Sequence, residues 1–151
     1  MRVLVQRVRK ASVSVDDRRI AEIGPGLVLL VGVGHQDTPE DAEFVARKCA
    51  HLRIFEDGQG RMNRSVLDVG GHALAVSQFT LYGNTQKGRR PSFTDAAPPE
   101  KVLELCRAFV EHLRLLGVPV EEGRFGEHML VELHNDGPVT LMVETPTSGS
   151  A

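Results

Sequence analysis

Short apolar segments of strand length fill the first part of the chain. Val and Ile are enriched in the segments 2–8, 11–15 and 19–23, which polar residues separate and Gly24-Pro25-Gly26 follows. Segments of this length and composition, bounded by turn residues, predict β-strands. The uninterrupted apolar run 27–33 predicts a further strand that is covered on both faces of a sheet.

Two longer segments place apolar residues at intervals of three and four, as one face of an α-helix does. The first begins at Thr38, a residue type that caps helices, with Pro39 at the first helical position and Asp41 three residues after the cap. We expect this helix to end near His51. The second spans about 98–117, and its apolar stripe predicts packing against a sheet.

The remaining apolar segments predict additional strands at 52–55, 65–69, 72–81, 129–133 and 139–145. The last two are joined around Asn135-Asp136-Gly137-Pro138, a composition that is typical of a hairpin turn. About eight strands and two helices that cluster rather than alternate predict an α+β (mixed α/β) fold, with a mostly antiparallel sheet and both helices packed on it. The sequence leaves open whether this sheet closes into a partial barrel.

The composition fits one soluble globular domain over 1–145, followed by a short polar tail, 146–151, that we expect to be frayed. The 151 residues are 41% hydrophobic and 25% charged, with a formal net charge of −2. No 18-residue apolar run exists, so we expect no membrane span. Cys49 and Cys106 form no C-x-x-C pair, and we expect a cytoplasmic protein. The charge argues against coating nucleic acid by bulk electrostatics, but it permits a local basic patch.

Familiar catalytic motifs are missing. The chain has no G-x-S-x-G elbow, no H-E-x-x-H, no P-loop and no G-x-G-x-x-G that opens a helix. No pair of its six histidines has the spacing of metal ligands with a supporting carboxylate. Hydrolases and metalloenzymes that depend on those motifs are therefore excluded.

Three polar stretches carry candidate chemistry. Ser77-Gln78-Phe79-Thr80-Leu81 places two hydroxyls and an amide in an apolar run, where they either form a site or satisfy backbone groups at a strand end. The segment 86–93, within a polar loop at 83–97, combines three cations with an aromatic residue. It suits either phosphates and a stacked base or a solvated charged loop. In 135–140 (NDGPVT), glycine and proline lead directly into a strand, which is typical of a hairpin turn and also of a cis peptide bond.

Together these stretches resemble the D-aminoacyl-tRNA deacylase family. The resemblance covers about residues 1–145 and rests on 1–15 (MRVLVQRVRKASVSV), 53–63 (RIFEDGQGRMN), 77–81 (SQFTL), 88–93 (GRRPSF), 123–126 (GRFG) with Met129, and 135–140 (NDGPVT). Tyr82-Gly83 and the tail depart from the family pattern. A sister branch that clears mischarged L-alanine has other residues in place of 77–80, so the sequence resembles the D-specific branch.

The resemblance implies a homodimer that hydrolyses the ester between a D-amino acid and the 3′-terminal adenosine of tRNA, without a metal or organic cofactor. It also implies glycine on a wrong tRNA as a further substrate. The implied lining of the pocket for the adenosine and the ester is Ser77, Gln78, Phe79 and Thr80, with Met129 close by. Gly137 and Pro138 are expected to form a cis peptide whose carbonyls enter the pocket of the other subunit, with Arg7 helping to hold that loop.

Two mechanisms and one other function remain open from the sequence. Backbone N–H groups around Phe79, with a water positioned by the 2′-hydroxyl of the substrate, could replace the missing nucleophile–base pair. Thr80 as a covalent nucleophile ranks second, because no His, Lys or N-terminal amine is next to it in the sequence. A non-catalytic module that binds a tRNA end or a nucleotide is the alternative, and the intact stretches 77–80 and 135–140 favour the hydrolase over it.

Overall fold

The structure is a computed structural model that describes residues 1–146, so the tail expected at 146–151 lies outside the described residues from position 147 onwards. Eight strands and two α-helices follow each other along the chain. They are β1 (Arg2–Val15), β2 (Arg18–Ile23), β3 (Gly26–Gly32), α1 (Pro39–His51), β4 (Phe55–Glu56), β5 (Met62–Arg64), β6 (His72–Ser77), α2 (Pro99–Leu115), β7 (Val120–Glu122) and β8 (Leu130–Glu144). A short 3₁₀ helix, Phe79–Tyr82, follows β6.

The long strand β1 is the centre of a mixed sheet. Its first half pairs antiparallel with β3 and its second half with β2, while β8 runs antiparallel beside it over nearly its whole length. Beyond β3 come β6 and β7, each parallel to its neighbour. Because β2 also approaches β6 and β7, the sheet curls into a nearly closed barrel. The predicted α+β class is confirmed, and the barrel question that the sequence left open is answered.

Apolar residues fill both faces of this sheet. On one face, alternate residues of β3 pack with α1 and α2, whose Val45, Cys49 and Phe109 are fully buried. On the other face, Val28 and Leu74 pack inside the barrel with residues from β1 and β2. Both helices therefore pack on the sheet, as predicted, and they cover it from the same side. Across residues 1–146, neither helix has the length and the apolar composition that a membrane crossing needs.

The first helix begins as its sequence predicts. The Asp41 N–H donates to the Thr38 hydroxyl (3.3 Å), and the Thr38 N–H donates to the Asp41 carboxylate (2.9 Å). This reciprocal pair satisfies two N–H groups that the first turn leaves without helical partners. The helix ends at His51, at the predicted position.

Two predicted strand breaks are wrong because pairing continues across them. The segments 2–8 and 11–15 are one strand: Arg9 and Lys10 are exposed, but the strand stays paired with β8 at Lys10. The segments 129–133 and 139–145 likewise belong to one strand, β8, and not to a hairpin.

Three other strand predictions also need correction. The segment 65–69 is a turn, since Ser65 and Asp68 exchange hydrogen bonds between side chain and backbone (2.8 and 3.1 Å). The strand expected at 72–81 ends at Ser77, and the 3₁₀ helix begins two residues later, at Phe79. The strand expected at 52–55 is wrong for residues 52–54, since β4 comprises only Phe55 and Glu56, and the short strands β5 and β7 were not predicted.

Candidate functional site

A cavity of about 640 Å³, called here the β6 cavity, opens where β6 ends. Its walls come from the end of β6, the 3₁₀ helix, the start of α2 and the segment that leads into β8. Its lining includes Ser77, Gln78, Phe79, Phe93, Val102 and Met129. This volume and mixture of apolar and polar side chains are typical of sites for small organic groups.

The 3₁₀ helix that borders this cavity begins with two backbone N–H groups, those of Phe79 and Thr80. The strand pairing ends with the Gln78 N–H, which donates to the Val31 carbonyl (2.7 Å), and the first bond of the turn is from Leu81 N–H to the Gln78 carbonyl (3.2 Å). The N–H groups that open a helical turn have no acceptor within it. Over the described part of the chain, Phe79 and Thr80 also donate no backbone hydrogen bond outside the turn. Both N–H groups are therefore available to a ligand.

Phe79 is an exposed aromatic side chain in the wall of the cavity. The side chain is 53% exposed, and its ring meets the Phe93 ring edge-on, with centroids 5.2 Å apart and planes 70° apart. Phe125, also exposed, lines the same cavity. Phe93 and Phe125 were not among the residues expected in the site, although Phe93 ends the cationic stretch and Phe125 lies in the family-like segment 123–126.

Among the described residues, neither hydroxyl of the 77–80 stretch is hydrogen-bonded to a histidine, a lysine or a carboxylate. The Thr80 hydroxyl accepts a hydrogen bond from the Gln78 side-chain amide. The Ser77 hydroxyl contacts the Cys106 thiol; burial raises the pKa of this thiol to about 11, and the Ser77 hydrogen bond opposes the rise. Within residues 1–146, no hydrogen bond joins a histidine or a lysine to either hydroxyl.

The 135–140 stretch forms a bulge in β8 and not a hairpin turn. Gln6 pairs with Thr140 and Val8 pairs with Asn135, so Arg7 alone stands opposite residues 136–139, called here the β8 bulge. The Asn135 side chain closes the bulge by accepting from the Val139 N–H (2.7 Å) and donating to the Val139 carbonyl (3.1 Å). The peptide bond between Gly137 and Pro138 is cis, as expected.

Arg7 ties the β8 bulge to the body of the protein. Its side chain is only 8% exposed, Nε donates to the Asp136 carbonyl (2.8 Å), and Nη1 donates to the Ile54 carbonyl (2.6 Å). On the surface, Arg9 lies 3.5 Å from the Asp136 carboxylate. Arg7 therefore bridges two backbone segments that are far apart in the sequence.

The structure brings some of the predicted site residues together and leaves others apart. Ser77, Gln78 and Phe79 line one cavity with Met129, and Thr80 is joined to it through the Gln78 amide. Arg7, Gly137 and Pro138 are not part of the lining of that cavity. Within a single chain, the β6 cavity and the β8 bulge are two separate features.

Known proteins resemble this chain over nearly its whole length. The profile of the family described as D-Tyr-tRNA(Tyr) deacylase matches residues 4–144. The D-aminoacyl-tRNA deacylase of Heliobacterium modesticaldum is 60% identical over 144 residues, which cover 95% of this chain and 96% of that protein. The D-aminoacyl-tRNA deacylase of Thermomicrobium roseum is 61% identical over 145 residues, with coverages of 96% and 94%.

A solved structure agrees in fold as well as in sequence. The c-Myc DNA unwinding element binding protein superimposes with a TM-score of 0.92 and 41% identity, over 97% of this chain and 100% of the other. The family profile and the two curated relatives lead to one family. The chain belongs to the D-Tyr-tRNA(Tyr) deacylase family.

Proposed function

We propose that this D-aminoacyl-tRNA deacylase holds the 3′-terminal adenosine of its substrate in the β6 cavity and hydrolyses the ester there. Deacylation of D-aminoacyl-tRNA is the activity of the family. The observation that carries the assignment to this cavity is that Phe79 supplies both an exposed ring and a backbone N–H without a partner at its edge. A nucleoside that carries an ester needs the ring to stack on its base and the N–H group to bind its ester carbonyl oxygen.

The aromatic wall supports binding of the base. A base stacked on an aromatic side chain gains about 1–3 kcal/mol, whatever the identity of the base. Because Phe93 packs edge-on against Phe79, the Phe79 ring is held in place. Val102 and Met129 add an apolar floor, so the cavity can exclude water around a bound adenosine.

The chemistry rests on backbone groups and on the substrate. A water molecule adds to the ester carbonyl, and the N–H groups of Phe79 and Thr80 stabilise the negative charge that develops on its oxygen. Each such donor contributes about 10²–10³ in rate. The 2′-hydroxyl of the adenosine positions the water. Collapse of the tetrahedral intermediate then breaks the bond to the 3′-oxygen, which takes up the proton that the attacking water has lost. The products are a free D-amino acid and intact tRNA.

Thr80 as a covalent nucleophile is the second mechanism. It needs a base that removes the hydroxyl proton. The partner that the structure gives this hydroxyl is the Gln78 amide, which donates a hydrogen bond and cannot take a proton. The water mechanism therefore has more support.

The outer edge of β8 supports a homodimer. Among the described elements, β8 pairs with β1 alone, and it exposes Leu130, Leu141 and Met142. An open strand edge with exposed apolar side chains favours pairing with another chain. The β8 bulge lies on this same strand and does not line the cavity of its own chain. We place it in the cavity of the second subunit, where it completes the site.

Selection against L-amino acids then follows from main-chain atoms. Carbonyl oxygens of the β8 bulge accept the α-ammonium group of the substrate, which fixes the α-carbon against the backbone. With the ester carbonyl also held, an L side chain meets the bulge, whereas a D side chain points outward. Glycine has no side chain to clash, so glycyl-tRNA is a further substrate.

We also place the enzyme in the cytoplasm. Cys49 and Cys106 are both free, and burial raises the pKa of the Cys49 thiol to about 12. Unpaired thiols of this kind are typical of reducing compartments.

Deacylation of D-tyrosyl-, L-tyrosyl- and glycyl-tRNA by the full chain tests the proposal. We expect rapid release of D-tyrosine and glycine and negligible release of L-tyrosine. In Gly137→Ala, the new Cβ would lie 2.7 Å from Val139 Cγ2 at a φ of +144°, so the bulge must move and D-tyrosine release should fall at least tenfold. Gly58→Ala is the control, because its Cβ meets nothing within 4 Å.

Three results would count against the proposal. Equal release of D- and L-tyrosine would contradict the main-chain selection. Normal activity of Gly137→Ala, with melting behaviour like that of the control, would remove the bulge from the site. Binding of all three tRNAs without any release would favour the non-catalytic tRNA-end module.

A further inference from the structure

A strongly basic hairpin stands beside the β6 cavity. Residues 84–92, called here the basic hairpin, are closed by two backbone hydrogen bonds between Asn84 and Ser92 (2.7 and 2.9 Å). Lys87, Arg89 and Arg90 lie at its tip around Gly88, which has a φ of +78°. The segment 83–94 contains no acidic residue, although the whole chain has a net charge of −2. The segment thus carries a local excess of positive charge on a chain whose net charge is negative.

The cations of the basic hairpin are available to a ligand. Lys87, Arg89 and Arg90 are exposed, and over residues 1–146 none of them forms an ion pair or a side-chain hydrogen bond. By contrast, other basic side chains have such partners, for example Arg47 with Glu43 and Arg114 with Glu122. Three cations without local partners on one tip repel each other unless anions lie between them.

The residue that directly follows the basic hairpin, Phe93, is part of the cavity wall. Phe93 follows the hairpin directly, lines the β6 cavity and packs on Phe79. It also sits tightly against Gly83, where a Cβ would be 3.0 Å from the Phe93 ring. Arg90 is three residues from Phe93, so their Cα atoms are at most about 11 Å apart. The cations therefore lie within a few nucleotide lengths of a base bound in the cavity.

We infer that the basic hairpin binds the phosphates of the unpaired nucleotides immediately 5′ of the terminal adenosine. This inference rests on the proposed binding of the adenosine in the β6 cavity. Phosphodiesters are the anions that must follow an adenosine at the end of an RNA strand, and exposed Lys and Arg without local partners are suited to them. Single-stranded RNA is the occupant because the short distance from Phe93 reaches only the nucleotides next to the cavity.

The hairpin has a calculable effect on the salt dependence of binding. Neutralising one phosphate of a single strand changes the slope of log affinity against log salt by about −0.7. Three contacts therefore contribute about −2 to that slope. Between 50 and 200 mM salt, a fourfold change, the contribution of the hairpin weakens by about 20-fold.

The test compares three substrates that share one ester: D-tyrosyl-adenosine, the trinucleotide D-tyrosyl-CCA, and D-tyrosyl-tRNA. D-tyrosyl-adenosine carries no phosphate and serves as the reference for each variant. For Lys87→Ala/Arg89→Ala/Arg90→Ala, we expect kcat/KM for CCA and for tRNA, relative to the reference, to fall at least tenfold at 50 mM salt. The effect should lie in KM, and the salt slope should become shallower by about 2 for tRNA and by about 1.4 for CCA, which has only two phosphodiesters.

A charge-matched variant controls for bulk electrostatics. Arg47→Ala/Lys48→Ala/Arg61→Ala removes the same charge from exposed positions in α1 and in the turn before β5 that do not line the cavity. We expect its relative kcat/KM for tRNA to stay within about twofold of wild type. An equal loss in this control would overturn the inference, since net charge alone would then explain the effect.

Each remaining result also decides the question. A loss with tRNA but not with CCA would place the hairpin on the paired acceptor stem and refute the single-strand contact. No loss with either substrate would refute any phosphate contact. Wild-type protein that releases D-tyrosine from none of the substrates would contradict the proposed function itself, whereas an active wild type with an unaffected triple variant would contradict only this inference.

Discussion

Replacement of Arg7 tests how the β8 bulge is held. In Arg7→Met, the apolar stem of the side chain is kept and the guanidinium is lost. The carbonyls of Asp136 and Ile54 then lose donors at 2.8 and 2.6 Å. Because the arginine is 8% exposed, little water can take its place on the buried side.

The expected loss of stability follows from these two contacts. A hydrogen bond to a charged group contributes about 1.5–3 kcal/mol, so two of them give about 3–6 kcal/mol. Asp136 is only half-buried, and water can replace the arginine there, which favours the lower end. We expect Arg7→Met to lower the free energy of unfolding by about 3 kcal/mol. Arg7→Lys can reach one of the carbonyls and should lose about half as much.

Urea denaturation at one fixed protein concentration measures the effect, and Arg9→Met is the matched control. Arg9 is 79% exposed and forms a surface ion pair with the same Asp136, so its loss should cost less than about 1 kcal/mol. D-tyrosyl-tRNA deacylation should fall at least tenfold in Arg7→Met under conditions where the variant is folded. It should stay near the wild-type value in Arg9→Met.

Equal stability of Arg7→Met and Arg9→Met would refute this reasoning, because it would mean that the two buried bonds contribute no more than a surface ion pair. Full activity of a folded Arg7→Met would show that the bulge keeps its position without its anchor.

Three further predictions follow from the site, the strand edge and the core. Thr80→Ala should keep activity within about tenfold while tRNA ending in 2′-deoxyadenosine is cleaved poorly; an acyl-Thr80 species trapped by acid quench would reverse this ranking. Leu141→Asp/Met142→Asp should convert a dimer into an inactive monomer in sedimentation at micromolar concentration, and an active wild-type monomer would contradict the shared site. Burial raises the pKa of Cys49 to about 12 and of Cys106 to about 11, so at pH 8 both thiols are almost entirely protonated. Iodoacetamide should therefore label both cysteines in denaturant but neither in the native protein, and rapid native labelling seen by mass spectrometry would show that the thiols are accessible.

The parts of the fold that depend on near neighbours could be predicted from the sequence. The start of α1 needs only Thr38, Pro39 and Asp41, which interact within one turn. The same locality explains one error: Ser65 and Asp68 form a reciprocal turn, and this spacing was visible, but the apolar residues between them suggested a strand. Local sequence signals were thus present both for the start of α1 and for the turn at 65–69, but only the helix was predicted from them.

Features that depend on distant pairing could not be predicted in this way. The composition of 135–138 is that of a turn, yet β8 continues through it because β1 pairs with both of its halves. The strand β7 has three residues, too few for any periodic pattern, and exists because β6 offers it an edge. Neither condition can be derived from the residues of the segment itself.

The residues of the candidate site show the same difference between local and distant determinants. Ser77, Gln78 and Phe79 were visible because polar residues interrupt an apolar run and then fall at the end of a strand. Phe93 and Phe125 line the cavity from segments more than ten residues away from Phe79 in the sequence, and Phe93 reaches it by packing against Phe79. A family resemblance can locate such residues, but a local pattern cannot.

The strand β8 carries both the open outer edge and the bulge of residues 136–139. In the proposed dimer, assembly and completion of the site are therefore the same event. By mass action, well below the dissociation constant of the dimer, the number of complete sites falls with the square of the total protein concentration. Dilution would then switch the enzyme off without any regulatory ligand, and specific activity would rise with enzyme concentration until every chain is paired.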